Sequence, residues 1–393
     1  MHRAAVFLVF ALAHFLSNFV RSANAVIAGD LKADVGLDAG DLGFMTSTYF
    51  LAFAAAQLPL GSALDRWGAR VTTPALMLAA VVGSLVFAVG PDFWTLAAGR
   101  ALMGLGTAGI LMGGLKALAG WFDVGHFAAA SGAMVAIGTS GALLASTPLA
   151  WAADAFGWRA VFVFGAVALA ASAALILAFG RAAPGHEAGR SAAEGSLADV
   201  FRRPPFWRAA ALAVATTSVI FAFQSLWAGP YLEEGLGLTR LSTGNVLLAF
   251  GVGVSAGYLV LGALGARVGA ARALAIATGA FIAVQVVLAW LPEPGGGVLS
   301  VAFAALGVSG ATSALLFTLA RASFPLSLTG RAVTAVNLFM FAGGFALQWG
   351  LGAWLEAGLG GYGSLFALSA ALGAAALVVF LPELRTGRVR PSR

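Results

Sequence analysis

Gly61-Ser-Ala-Leu-Asp65-Arg66-Trp-Gly68-Ala-Arg70 is a polar, glycine-bounded turn between two long apolar runs, and 201 residues later Gly262-Ala-Leu-Gly-Ala266-Arg267-Val-Gly269-Ala-Ala-Arg272 repeats it. Glycine permits the tight turn that joins two adjacent helices. A repeat at this distance in a chain of 393 residues divides it into two similar halves.

Outward from these turns, apolar runs bounded by charge, Pro or Gly place helices at 4–28, 42–63, 71–89, 94–119, 128–152, 160–180, 209–229, 243–264, 273–291, 298–320, 332–355 and 363–381. The chain is 60% hydrophobic and 10% charged, with a mean hydropathy of +0.93. No soluble globular domain sustains this over such a length. The expected fold class is therefore an all-α membrane protein with twelve transmembrane helices in two pseudo-symmetric six-helix halves, residues 1–180 and 209–393, the second ending in a short basic tail. The polar interval 181–208 is the linker. The first apolar segment lacks a clear small-residue cleavage site and is read as a retained helix rather than a signal peptide.

Composition also excludes chemistry. Cysteine is absent, so thiolate metal sites, disulfides and cysteine nucleophiles are ruled out. No HExxH, GxSxG or clustered His/Asp set suggests an enzyme, and no metal or cofactor is expected. With the N-terminus inside, sixteen of the 22 basic residues fall on the inner side and only Lys32, Arg159 and Arg240 on the outer. That is the positive-inside pattern of a multi-pass protein with both termini cytoplasmic, here assigned to the cell inner membrane. The net charge of +6 is then a topology signal, and no nucleic-acid partner is expected.

The turn Gly61-x3-Asp65-Arg66-x-Gly68-x-Arg70 resembles the signature loop of the major facilitator superfamily. Arg100-x3-Gly104-x-Gly106 is similar to that family's second motif, and Gly157-Trp158-Arg159 with Phe162 is a further shared feature. The resemblance covers essentially the whole chain. It implies a gating set of Gly61, Asp65, Arg66, Gly68, Arg70, Arg100 and Arg331, in which Asp65 sits against the start of the eleventh helix near Arg331 and holds the cytoplasmic side closed. A carboxylate at a helix N-terminus is favoured by the macrodipole. Ala266 stands at the equivalent position of the second half, so the latch is expected on one side alone. Arg100 is expected to bond carbonyls of the first helix.

Substrate chemistry is read from the first helix. His14, Asn18 and Arg21 follow i, i+4, i+7 spacing and share a face, with Asn24 close by. An intramembrane cation without a carboxylate suggests an anionic ligand; snorkelling of Arg21 towards Asp30, Asp34 and Asp38 is the bland alternative. The segment His14 to Asn24 resembles the first helix of the superfamily's organophosphate and organic-anion branch, where an Arg at the place of Arg21 contacts phosphate or carboxylate. Lys116 occupies a position often basic in that branch, or else snorkels at the interface. The seventh helix lacks the second Arg of phosphate carriers and offers Thr217, Phe221, Gln224, Trp227 and Tyr231, with Asn337, Phe341 and Gln348 on the eleventh and Ser309, Ser313 and Phe317 on the tenth. The substrate-binding set is thus Arg21, His14, Asn18, Lys116, Gln224, Trp227, Tyr231, Asn337 and Phe341.

The function expected is a secondary active transporter, symporter or antiporter, moving a small organic anion such as a carboxylate by alternating access. Its partners are that anion, protons or a counter-anion, and the lipid bilayer; a monomer is expected. The alternative is an exporter of amphipathic drugs or metabolites. Against it, Gly138-Thr139-Ser140-Gly141 stands where drug/proton antiporters carry a Gly-Pro pair.

Overall fold

The computed structural model describes residues 2–122, 124–181, 197–290, 296–324 and 326–386; linker residues 182–196 and the tail from 387 lie outside the described residues. Twelve long helices build it. They are α1 (His2–Ser22, continuing as Asn24–Val35), α2 (Ala39–Trp67), α3 (Ala69–Val89), α4 (Phe93–Thr107 and Ile110–Trp121), α5 (Val124–Thr139, Gly141–Leu144 and Thr147–Phe156) and α6 (Trp158–Phe179). The second half holds α7 (Pro204–Gly235), α8 (Arg240–Val268), α9 (Ala270–Trp290), α10 (Gly296–Gly310 and Ser313–Ser323), α11 (Leu326–Glu356) and α12 (Tyr362–Thr386).

Among the described residues ten are long and apolar enough to cross a membrane, and eleven if α5, bent by 43°, is counted as one span. The twelfth, α2, has 29 residues and carries polar groups because it packs on α11 between the halves. Alternate helices run in opposite directions. One end of the bundle, the terminal end, carries His2, the α2–α3 turn and the start of α7; the other is the distal end.

Both signature turns have the same backbone. Gly68 adopts φ 73° and donates its N–H to Leu64 O, while Gly269 adopts φ 87° and donates to Gly265 O. This is the left-handed region where a Cβ is penalised, so glycine is the residue that can close one helix and open the next. The first helix runs further than its predicted end at 28. Asp30, Lys32 and Asp34 extend it past the apolar stretch to Val35, where Gly36 caps it at φ 73°.

The halves meet along α2–α11 and α5–α8. At the distal end, α2 and α11 approach until a Cβ on Gly43 would lie 2.7 Å from Gln348 O. There Arg240 pairs with Asp30 and Asp154, and Lys32 pairs with Glu234. At the terminal end the pairs described stay within one half: Lys116 with Asp65, and Arg208 with Glu383.

Candidate functional site

The site begins with a break in α1. The helix is interrupted at Ala23, leaving carbonyls of its last turn without intrahelical donors. Arg100 of α4, fully buried, fills that need: its Nη1 donates to Val20 O at 2.9 Å and its Nη2 to Arg21 O at 3.3 Å. A cation at a helix C-terminus is stabilised by the macrodipole, so Arg100 is tolerated without a carboxylate. Its guanidinium also lies 4.9 Å from the Tyr49 ring centre, and Tyr49 is fixed by a 2.7 Å hydroxyl bond with Thr107. Arg100 thereby clamps the backbone of Arg21.

The Arg21 side chain crosses to the other half. Its guanidinium carbon stands 4.6 Å from the centre of the Phe221 ring, and Nη2 donates to Gln224 Oε1 at 3.3 Å. Among the described residues no carboxylate pairs with it. A neutral amide and a ring face hold the cation without cancelling it. Above Phe221 an aromatic layer joins the halves. Phe53 stacks on Phe341 at 3.7 Å with 9° between planes, Phe50 stacks on Phe221 at 5.8 Å, and Phe221 is 5.1 Å from Phe341. Asn337 lies one turn from Phe341 on α11 and is buried.

His14 is seven residues before Arg21, about 10 Å along the axis at 1.5 Å per residue. Its ring occupies the space over Gly138, where any Cβ would collide with the imidazole. The Asn18 amide is not presented to a ligand: it donates back to His14 O at 2.9 Å and lies 3.5 Å from Nδ1. Asn24 donates to Thr46 on α2 at 3.0 Å and is buried. The expected polar stripe of α1 therefore divides into one cation aimed at α7, one half-buried imidazole and two structural amides.

Trp227 and Tyr231 are corrections to the expected binding set. Trp227 is fully buried and donates to Gln348 O at 3.0 Å; the Tyr231 hydroxyl donates to Leu288 O at 3.1 Å inside the second half. The cause is the backbone of α7, which contains π-helical turns at Val214–Ser218, Phe223–Trp227 and Tyr231–Gly235. Each wide turn shifts the phase of the residues beyond it. A stripe drawn at 3.6 residues per turn keeps Phe221 and Gln224 beside Arg21 and loses the two residues after them.

Lys116 is also placed elsewhere. It bonds Leu64 O at 2.9 Å and Asp65 Oδ1 at 2.5 Å at the terminal end, far along α4 from Arg21. The same pair corrects the expected contact of Asp65 with α11: in this conformation Asp65 is 77% exposed and held by its own half. Arg70 donates to Leu177 O of α6 at 2.8 Å, Arg66 lies over Trp67, Gly61 faces open space and Arg331 is half-buried near the start of α11. Sequence reasoning missed Tyr49, Phe50 and Phe53, and it missed the pairing of the distal charges. The signal for that pairing was available as acids on the outer side of the first half, Asp30 and Asp154, facing Arg240 of the second.

Comparison with known proteins agrees with this architecture. Over 168 residues the chain is 32% identical to the "Probable galactarate/D-glucarate transporter GudP" of Bacillus subtilis (strain 168), a match spanning 40% of this chain and 36% of that protein. It is 34% identical over 153 residues to a chloramphenicol efflux pump of Mycobacterium tuberculosis, covering 38% of this chain and 36% of the pump. The chain thus matches about a third of the length of these curated relatives. The fold superposes with TM-score 0.77 on a bacterial homolog of the human lysosomal transporter Spinster in an inward-facing and occupied conformation, at 16% identity, covering 100% of this chain and 99% of that one. Residues 10–348 match the family model described as Major Facilitator Superfamily, and the chain belongs to that family of multi-pass membrane transporters.

Proposed function

We propose that this transporter moves a small organic anion, a carboxylate, by alternating access of its two halves, with Arg21 as the anion-binding group. The observation that carries the reading is an intramembrane guanidinium whose side-chain acceptor is the neutral Gln224. An uncancelled cation in hydrocarbon is costly, and a bound carboxylate removes the cost. The planar fork suits a bidentate carboxylate, and the aromatic layer of Phe50, Phe53, Phe221 and Phe341 suits the substrate's apolar body. We assign the terminal end to the cytoplasmic side of the cell inner membrane, following the positive-inside pattern. The sealed distal end then makes this the inward-facing state. The similarity to a protein named as a sugar-acid transporter supports the substrate class.

Binding to purified protein and uptake into proteoliposomes test this, with a panel of carboxylates, sugar acids and phosphate esters as probes. Arg21→Ala should lose about 1.5–3 kcal/mol of anion binding, or roughly 10- to 150-fold in affinity, and Arg21→Lys should recover little of it. Wild-type affinity in a folded Arg21→Ala protein defeats the proposal. Coupling runs through His14 if protons drive uptake, and through the counter-anion if the protein exchanges anions. Proton-driven uptake that survives His14→Gln excludes the histidine, while counterflow without any response to a pH gradient identifies an exchanger. The aromatic layer also favours a second reading, export of amphipathic compounds. Stabilisation of the protein by neutral amphiphiles but not by anions would select it.

A further inference from the structure

The distal seal contains a group that anion binding leaves without a task. Asp30 of α1, Asp154 of α5 and Glu233 and Glu234 of α7 gather around Arg240 of α8 and Lys32 of α1. Arg240 gives one nitrogen to Asp30 at 2.5 Å and the other to Asp154 at 2.7 Å. Lys32 lies 2.7 Å from Glu234, whose Oε2 also accepts from the Tyr362 hydroxyl at 2.6 Å. Four carboxylates thus face two cations.

Glu233 is the carboxylate left over. Its Oε1 is buried without a hydrogen-bond partner, and its Oε2 lies against α1, 3.6 Å from where a Cβ on Gly29 would stand. The next residue of α1, Asp30, likewise has a buried oxygen, Oδ2, without a partner. Ionised carboxylates only accept, so neither oxygen can supply the donor that the other lacks. A single proton changes this: it turns one carboxyl into a donor and reduces the excess negative charge of the cluster. When the halves separate, α1 and α7 part and both groups return to water, where no proton is needed.

We propose that Glu233 is the proton-binding group of the distal gate: closure takes up one proton at Glu233 where it lies against α1, so acid holds the gate shut and alkali releases it. The charged groups facing Glu233 are the cation Arg240 and the acids Asp30, Glu234 and Asp154; the sign is set first by burial of its unpartnered oxygen, which disfavours the charged carboxylate, and the three acids reinforce it against Arg240. The closed state binds the extra proton, so its advantage is present at low pH and is lost as pH rises. The ratio of open to closed gate then climbs by up to about tenfold per pH unit, wherever the two states differ by one proton. This device rests on alternating access but not on the identity of the substrate.

The chain has no cysteine, so two can be introduced cleanly. Spin labels at Ala33→Cys in α1 and Leu359→Cys between α11 and α12 report the distal separation by electron–electron resonance, without substrate, from pH 5 to 9. In the wild-type background the open fraction should climb with pH and then level off. Glu233→Gln, which keeps a permanent donor, should hold the gate closed and remove the pH dependence. Glu234→Gln keeps Glu233, removes a neighbouring charge and frees Lys32, so its climb should level off at a lower pH. A wild-type distance distribution that does not change with pH overturns the proposal, as does a pH response that persists in Glu233→Gln or fails to shift in Glu234→Gln. An outer gate that opens with substrate but ignores pH leaves the transport reading intact and removes this one.

Discussion

At the distal end the two halves are tied by charge and by backbone contact. Arg240 bridges Asp30 and Asp154, Lys32 reaches Glu234, and α2 packs on α11 through Gly43 and Gly352. At the terminal end Asp65 turns to Lys116 and Glu383 to Arg208, each pair inside one half. The difference teaches what sets the conformation. Contacts that cross the halves stabilise one end shut, whereas contacts within a half leave the other end free to part. It also accounts for the three basic residues on the positive-poor side of the bundle: Lys32, Arg159 and Arg240 are each ion-paired there, Arg159 with Asp34. The Trp158 indole and the Arg159 guanidinium hold the Asp34 carboxyl below the usual carboxylate range, so that clamp is present above the ordinary carboxylate pKa and fails only as pH falls through the depressed value.

The largest break in the comparison should come from Arg240→Ala. It removes both bridges and leaves Asp30 and Asp154 as half-buried or exposed acids beside Glu233. Truncating one partner of such a charge pair costs about 2–3 kcal/mol, which is about a 30- to 150-fold fall in the ratio of closed to open distal gate. The Ala33–Leu359 label pair should then show the long separation dominating. An unchanged distribution would mean that helix packing, not charge, seals this end.

Gly43→Ala tests that packing contribution separately. The new methyl would stand 2.7 Å from Gln348 O and 3.0 Å from the Trp227 ring, so the α2–α11 crossing must widen. Overpacking of this kind costs about 1–3 kcal/mol, and here the cost falls on the distal-closed state alone. The expected result is a partial shift towards distal-open with the terminal end closing in compensation. If the substitution only lowers thermal stability and both separations stay as they were, the two helices give way without opening the gate.

Much of this was legible in the chain and some was not, for identifiable reasons. The helices, the repeat and the placement of Arg21 inside the bundle follow from local apolarity and from one cation in the wrong solvent, which are properties of short stretches. Asn18, Trp227 and Tyr231 were misplaced because a stripe on a helical wheel assumes an unbroken α period, and neither the π-helical turns of α7 nor the return of the Asn18 amide to its own helix leaves a mark in composition. Lys116 was readable as either ligand or interface residue, and only the approach of α2 to α4 decides for Asp65. The distal cluster was visible as charge but not as contact, since Asp30 and Arg240 are brought together by the meeting of the halves.

The smallest expected effect is also the most discriminating, because its sign matters. Asp65 and Lys116 form an exposed pair, worth about 0–1 kcal/mol, so substitutions there shift the terminal equilibrium by about fivefold at most. Labels at Ser62→Cys in α2 and Ala263→Cys in α8, equivalent positions of the two repeats, follow that equilibrium. Lys116→Gln removes a contact made in the proposed inward-facing state and should favour closure of the terminal end. If Asp65 exchanges Lys116 for the N-terminus of α11 when the terminal end closes, Asp65→Asn loses more in the closed state, where a helix dipole favours its charge, and shifts the protein the other way, towards terminal-open. Opposite signs for the two variants establish the exchange of partners. Equal signs would make Lys116 the sole partner of Asp65, and the one-sided latch implied by the signature turn would be wrong for this chain.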